Sequence, residues 1–184
     1  MKAVFLDRDG VINKEINYLH KAEDFELTHK CLAGLRNIQN RGFQIIIVTN
    51  QSGLAKGLFS ENEYNDFTKF YIEFLSSEGI YILDVFYCPH HSYGIVPKYS
   101  KKCNCRKPLP GLFLKAHKKY NIDLKSSIIV GDRLSDILAG KAAGVGNKVL
   151  VESGHELTSE CRSNADYIFE NLYSFSKSDY FNKL

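Results

Sequence analysis

The chain has 184 residues, 44% of them hydrophobic and 24% charged, a balance that excludes a disordered tail or a fibrous repeat and suffices for one folded core. Its 24 Lys and Arg against 21 Asp and Glu leave a formal charge of +3, too small without a concentrated basic patch to expect a nucleic-acid partner. No apolar run is long enough to span a membrane, and Asp7 interrupts the first apolar stretch before a signal-peptide core can form, so a cytoplasmic, single-domain protein over residues 1–184 is expected.

Ala3–Leu6 is a short continuous apolar run that stops at Asp, Arg and Gly, as a strand buried on both faces does. Leu32, Leu35 and Ile38, before Gly42, have helical spacing; Gln44–Val48 then predicts a second strand, ending at Thr49-Asn50-Gln51-Ser52-Gly53. Tyr64, Phe67, Phe70, Tyr71, Phe74 and Leu75 mark a helix before Gly79, and Ile82–Tyr87 a third strand that ends at Cys88. Residues 88–111 carry no periodicity, and an irregular stretch of that length is usually functional or held by a ligand. Leu112, Phe113, Ala116 and Tyr120 predict a helix, Ser127–Val130 a fourth strand ending at Gly131-Asp132, Lys148–Val151 and Tyr167–Phe169 two more, and Leu172–Phe181 a closing helix. Strand alternating with helix predicts a parallel α/β sheet with right-handed crossovers, whose ligand site lies at the carboxyl ends of the strands.

Those carboxyl ends carry the chemistry. Asp7 and Asp9 follow the first strand two residues apart, and Gly10 permits the turn. Two carboxylates this close repel unless a proton or cation lies between them, and Asp132 reaches the same sheet edge after the fourth strand. An oxygen-only donor set suits magnesium. One isolated Asp at a strand end would more often cap a turn, but three in one sheet point to a site.

With no export signal expected, the five cysteines, an odd number, are not expected to form a disulfide framework. Cys31 and Cys161 stand alone and read as small core residues. Cys88-Pro89-His90, twelve residues, and Cys103-Asn104-Cys105 offer three sulfurs and an imidazole, the donor set of a closed, structural zinc site, with His91 as the alternative imidazole. This spacing is not that of a DNA-reading zinc finger. His20, His29, His117 and His155 have no partner within the sequence pattern and read as surface or capping residues.

Asp7-Arg8-Asp9-Gly10-Val11-Ile12-Asn13, Thr49-Asn50-Gln51-Ser52-Gly53, Arg106-Lys107-Pro108 and Gly131-Asp132-Arg133-Leu134-Ser135-Asp136 together resemble the four motifs of the haloacid dehalogenase-like phosphatases. Cys103-Asn104-Cys105-Arg106-Lys107-Pro108 is similar to the zinc-containing branch that includes sugar-bisphosphate and histidinol-phosphate phosphatases. The resemblance runs in order from residue 3 to about residue 155. It implies a Rossmann-like three-layer sandwich without a separate cap domain, with a zinc-bound loop over 88–105.

By the same resemblance Asp7 is the nucleophile, Asp9 the general acid and base, Thr49 a phosphoryl hydrogen-bond donor and Lys107 the neutralising cation. Magnesium is implied at Asp7, the Asp9 carbonyl and Asp132, with Asp136 in support, and zinc at Cys88, His90, Cys103 and Cys105. The implied substrate-binding residues are Arg8, Glu15, Ile16, Asn17, Tyr18, Asn50, Gln51, Ser52, Arg106 and Arg133. Arg106 and Arg133 suit a second anion, hence a sugar bisphosphate. The implied reaction is hydrolysis of the 7-phosphate of a heptose 1,7-bisphosphate by a monomeric enzyme, with histidinol phosphate as the alternative substrate. The competing reading, a zinc-stabilised binding module without turnover, requires a broken motif, and all four are whole.

Overall fold

A computed structural model describes residues 1–184. Six strands, β1 (Ala3–Leu6), β2 (Gln44–Asn50), β3 (Ile82–Cys88), β4 (Ile128–Gly131), β5 (Asn147–Val151) and β6 (Tyr167–Phe169), form one sheet in the order β3-β2-β1-β4-β5-β6. Every pairing is parallel. Parallel neighbours require crossovers, and the helices α1 (Cys31–Asn40), α2 (Glu61–Ser77), α3 (Gly111–Tyr120), α4 (Leu134–Ala143), α5 (Ser159–Asn164), α6 (Leu172–Lys177) and α7 (Asp179–Asn182) supply them and close the chain.

The strands are apolar on both faces because both faces are covered. Val4, Leu6, Ile45, Ile47, Ile128 and Val130 pack with Leu35 and Ile38 of α1, Phe67 and Tyr71 of α2 and Phe175 of α6. The alternate residues Ala3, Phe5, Ile46, Val48 and Ile129 pack with Leu112, Phe113 and Ala116 of α3 and Ala139 of α4. This is the expected three-layer arrangement, with no separate cap.

Two helices escape the sequence pattern for identifiable reasons. In α4 the small residues Ala139 and Gly140 face the sheet so closely that a Cβ at Gly140 would come within 2.5 Å of Ile129 Cγ2, and the buried Asp136 interrupts the apolar stripe. In α5 only Cys161 is buried, and Thr158 starts the helix by accepting from the Cys161 amide at 3.2 Å. The single closing helix expected over 172–181 is two helices instead. Ser178, in an extended conformation (φ −68°, ψ 150°), ends α6 and caps α7 by accepting from the Phe181 amide at 3.1 Å.

Candidate active site at the carboxyl edge of the sheet

β1 lies between β2 and β4, so the residues that follow these three strands meet at one edge. The Asp7 amide continues the pairing by donating to Val130 O at 3.0 Å, which seats Asp7 beside the end of β4. Gly10 turns the chain at φ +81°, and Gly154, after β5, approaches from the other side. A Cβ at Gly10 or Gly154 would stand 2.3 or 2.0 Å from Asp132 Oδ2, so both loops need glycine to pass against this carboxylate.

Lys107 is 3% exposed, and its Nζ lies 2.9 Å from Asp7 Oδ2, 2.5 Å from Asp136 Oδ1 and 2.8 Å from the Val48 carbonyl. Asn50 fixes the Lys107 backbone twice, accepting from its amide at 3.0 Å and donating to its carbonyl at 3.1 Å. Burial opposes the ammonium charge, but Asp136 and Asp7 hold the Lys107 pKa above its usual range. Asp136 also accepts from the Arg133 amide at 3.0 Å, capping α4.

One lysine does not balance this interior. Asp7, Asp132 and Asp136 bring carboxylate oxygens within 4.8 Å of one another, and all three residues are buried. Burial first, then Lys107 pulling down and Asp136 and Asp9 pushing up, leaves the Asp7 pKa raised to about 7; burial and repulsion from Asp136 and Asp7 raise Asp132 to about 9. Asp132 Oδ1 is buried with no hydrogen-bond partner. Crowded oxygens, surplus negative charge and an orphaned acceptor fit a hard divalent cation of the magnesium type.

Asp9 is held by three side chains. Arg8 Nη2 donates to both its oxygens at 2.9 Å, Asn13 Nδ2 to Oδ1 at 3.0 Å and Gln51 Nε2 to Oδ2 at 3.1 Å. The same Gln51 nitrogen donates to Thr49 Oγ1 at 2.9 Å, linking the second motif to the first. Above these groups opens a cavity of about 370 Å³, with Asp7, Asp9, Thr49 and Lys107 lining it. Glu15, Asn17 and Tyr18 form one wall, Asn50, Gln51 and Ser52 the next, and Arg106 and Arg133 stand at its sides.

Two residues expected to bind substrate do not line the cavity. Arg8 is 1% exposed and does not reach the cavity: its guanidinium lies 5.0 Å from the Phe67 ring centroid and donates to Asp9 and, at 3.0 Å, to Leu19 O. A strand-end residue between two that face the site points to the opposite side, so Arg8 supports Asp9 from within the core. Ile16 is 38% exposed and lies outside the cavity wall, between Glu15 and Asn17, which form it.

The structure also adds residues. Lys56, with Nζ 2.5 Å from Tyr18 Oη, His91, Gly53 and Ser135 line the cavity. His155, expected at the surface or as a cap, lies with Nδ1 2.5 Å from Asp132 Oδ2. Nothing in the sequence pattern announces that pair, because its members follow different strands, β4 and β5.

The Cys/His loop closes beside the cavity. Cys105 Sγ is 3.1 Å from Cys88 Sγ and 3.2 Å from His90 Nδ1, while Cys88 Sγ is 3.6 Å from Cys103 Sγ and 3.7 Å from His90 Nδ1. Tetrahedral zinc with bonds of about 2.1–2.3 Å sets donor separations of roughly 3.4–3.8 Å, so these four side chains fit that ion. His91 turns away, its Nδ1 accepting from the Tyr93 amide at 3.2 Å. The cluster adjoins the catalytic edge directly: Arg106 Nη1 donates to His90 O at 3.3 Å, and Lys107 follows.

A family model described as HAD-hydrolase-like matches residues 104–175. The chain is 55% identical over 177 residues to the D-glycero-alpha-D-manno-heptose-1,7-bisphosphate 7-phosphatase of Photorhabdus laumondii, covering 96% of each protein. It is 39% identical over 170 residues to the D-glycero-beta-D-manno-heptose-1,7-bisphosphate 7-phosphatase of Escherichia coli K12, covering 92% of this chain and 89% of that one. A solved structure of D,D-heptose 1,7-bisphosphate phosphatase from B. bronchiseptica, complexed with magnesium and phosphate, matches with a TM-score of 0.83 at 27% identity, over 100% of both chains. With the four motifs meeting at one sheet edge and relatives matching along nearly its whole length, the chain belongs to the heptose-1,7-bisphosphate 7-phosphatase family of HAD-like hydrolases.

Proposed function

We propose that this chain removes the 7-phosphate of D-glycero-D-manno-heptose 1,7-bisphosphate, preferring the α anomer, on the route to nucleotide-activated heptose. The observation that carries the chemistry is the buried Asp7–Lys107–Asp136 array beside Asp132, which opens into a polar cavity lined by Arg106, Arg133 and Lys56. The anomer follows the 55% identity to a relative named for the α form, against 39% to one named for the β form. Histidinol phosphate, with a single phosphate, leaves the second set of cations without a partner.

In the proposed reaction an Asp7 oxygen attacks phosphorus and the sugar oxygen departs, taking a proton from Asp9; water then gives a proton to Asp9, attacks the same phosphorus and frees the Asp7 carboxylate. Lys107 fixes Asp7 and offsets charge on the transferred group, and Thr49 offers its hydroxyl to a phosphoryl oxygen. Asp7, Asp9 and Asp132 would hold magnesium, which would supply charge neutralisation at the phosphoryl group. Glu15, Asn17, Tyr18, Gln51 and Ser52 enclose the sugar, while Arg106, Arg133 and Lys56 receive the phosphate that stays. Cys88, His90, Cys103 and Cys105 would hold zinc, which would tie down the segment that delivers Arg106 and Lys107.

The rest of the reading is a single domain over 1–184, monomeric and cytoplasmic; no helix is long and apolar enough to cross a membrane. Phosphate release with magnesium, measured for the α and β heptose 1,7-bisphosphates and histidinol phosphate, tests the reading. The highest kcat/KM is expected for the α anomer; preference for the β anomer overturns the stereochemistry, and preference for histidinol phosphate overturns the substrate.

A further inference from the structure

Asp132 has two oxygens in different circumstances. Oδ1 is buried without a partner, whereas Oδ2 lies 2.5 Å from His155 Nδ1. The other nitrogen of that ring, Nε2, lies 2.5 Å from Arg133 Nη2, and the same guanidinium nitrogen is 3.8 Å from Glu15 Oε2.

These partners fix the position of the ring proton. A guanidinium has donors and no acceptor, so Nε2 must be the bare nitrogen. The single proton of the neutral ring then sits on Nδ1 and is donated to Asp132 Oδ2. The carboxylate has little freedom to turn, because Gly10 and Gly154 pack against Oδ2 so closely that neither has room for a Cβ. Ser153 Oγ donates to Gly10 O at 2.6 Å, joining the segment that carries His155 to the first-motif loop.

We propose that His155 is a positioning residue for the magnesium site: its Nδ1–H, set by Arg133 at Nε2, engages Asp132 Oδ2 and leaves Oδ1 presented to the cation. This rests on the magnesium reading of the site given above. His155 does not line the cavity, so it acts through Asp132 and not on substrate. Glu15, Asp132 and His155 also lie close enough to share an ion, but the Arg133 cation already stands against both Glu15 and His155, which argues against a second metal there.

The test is calorimetric titration of magnesium into full-length, zinc-loaded, magnesium-free protein, without substrate. Losing a hydrogen-bond partner of a ligand typically weakens metal affinity about 10–100-fold, and His155→Leu is expected to raise the magnesium Kd within that range. His155→Asn places an amide N–H near the Nδ1 position and should restore most of the affinity. His155→Gln, whose amide extends toward the Nε2 position, should not. In turnover assays His155→Leu should need more magnesium yet approach the wild-type kcat at saturation. Wild-type magnesium affinity in His155→Leu, or equal rescue by Asn and Gln, overturns the proposal. Should His155→Leu not fold, the Asn and Gln comparison still decides. Absence of magnesium binding by the wild-type protein would instead strike the reading of the whole site, and this inference with it.

Discussion

Replacing Lys107 by Met removes the only cation whose charge touches Asp7 and Asp136, while keeping an unbranched chain of similar length. Lys107 is 3% exposed, and its ammonium contacts Asp7 Oδ2 at 2.9 Å, Asp136 Oδ1 at 2.5 Å and Val48 O at 2.8 Å, so its loss strands two buried carboxylates and one carbonyl together. Breaking one side of a buried ion pair costs about 3–5 kcal/mol. For a chain of this size each kcal/mol moves Tm by about 2–4 °C, giving an expected fall of roughly 6–20 °C. The penalty should shrink at acidic pH, because the Asp7 pKa already lies near 7 with the lysine present and rises further without it. Thermal unfolding of wild type and Lys107→Met at two pH values, each with and without magnesium, reads all of this. A Tm change below about 2 °C, under 1 kcal/mol on the same conversion, would refute the argument that this lysine balances the buried charge.

Three further outcomes are expected. Asp7→Asn should abolish phosphate release while zinc content and far-ultraviolet circular dichroism stay as in the wild type; near-normal hydrolysis would remove Asp7 as nucleophile. Cys105→Ala should lose zinc, measured by metal analysis, and melt at lower temperature, because three donors no longer close the site; full zinc occupancy would mean the donor set is wrong. In magnesium-free protein Asp7 and Asp132 have pKa values raised to about 7 and about 9 from 3.8, so the folded state binds more protons than the unfolded chain between those values. Stability should therefore fall as pH rises from about 4 through 7 and on toward 9, and magnesium should flatten the decline; Tm rising with pH in metal-free protein would contradict the shifts.

What could be read from the sequence was whatever the chain keeps local. The apolar runs ending at Asp7, Thr49 and Asp132 fixed three strand ends, and since parallel strands align those ends, the site followed from topology. Cys103-Asn104-Cys105 placed the sulfurs next to Lys107 for the same reason. Local pattern is silent where direction or distance decides. Arg8 lies in the same motif as Asp7 and Asp9, yet its side chain leaves on the other side and becomes the internal partner of Asp9. Ile16 sits between two wall residues without being one. Lys56 and His91 reach the cavity from turns whose path no local pattern reports, and the His155–Asp132 pair spans two strand-to-helix crossings. The helix α4 was hidden because its contact face is made of small residues, which pack closely but carry little hydrophobic contrast.

The central position of β1 has a consequence for the biogenesis of activity. Its four residues register with Gln44–Ile47 on one side, and Val4, Phe5 and Leu6 register with Ile128–Val130 on the other, so β1 is flanked by one neighbour close to it in the chain and one far along it. A nascent chain can dock β2 on β1, but Asp7 cannot meet Asp132 until β4 has been made and inserted. Hydrolytic competence is therefore a property of the completed sheet, and phosphate release doubles as a reporter that both halves of the molecule have come together.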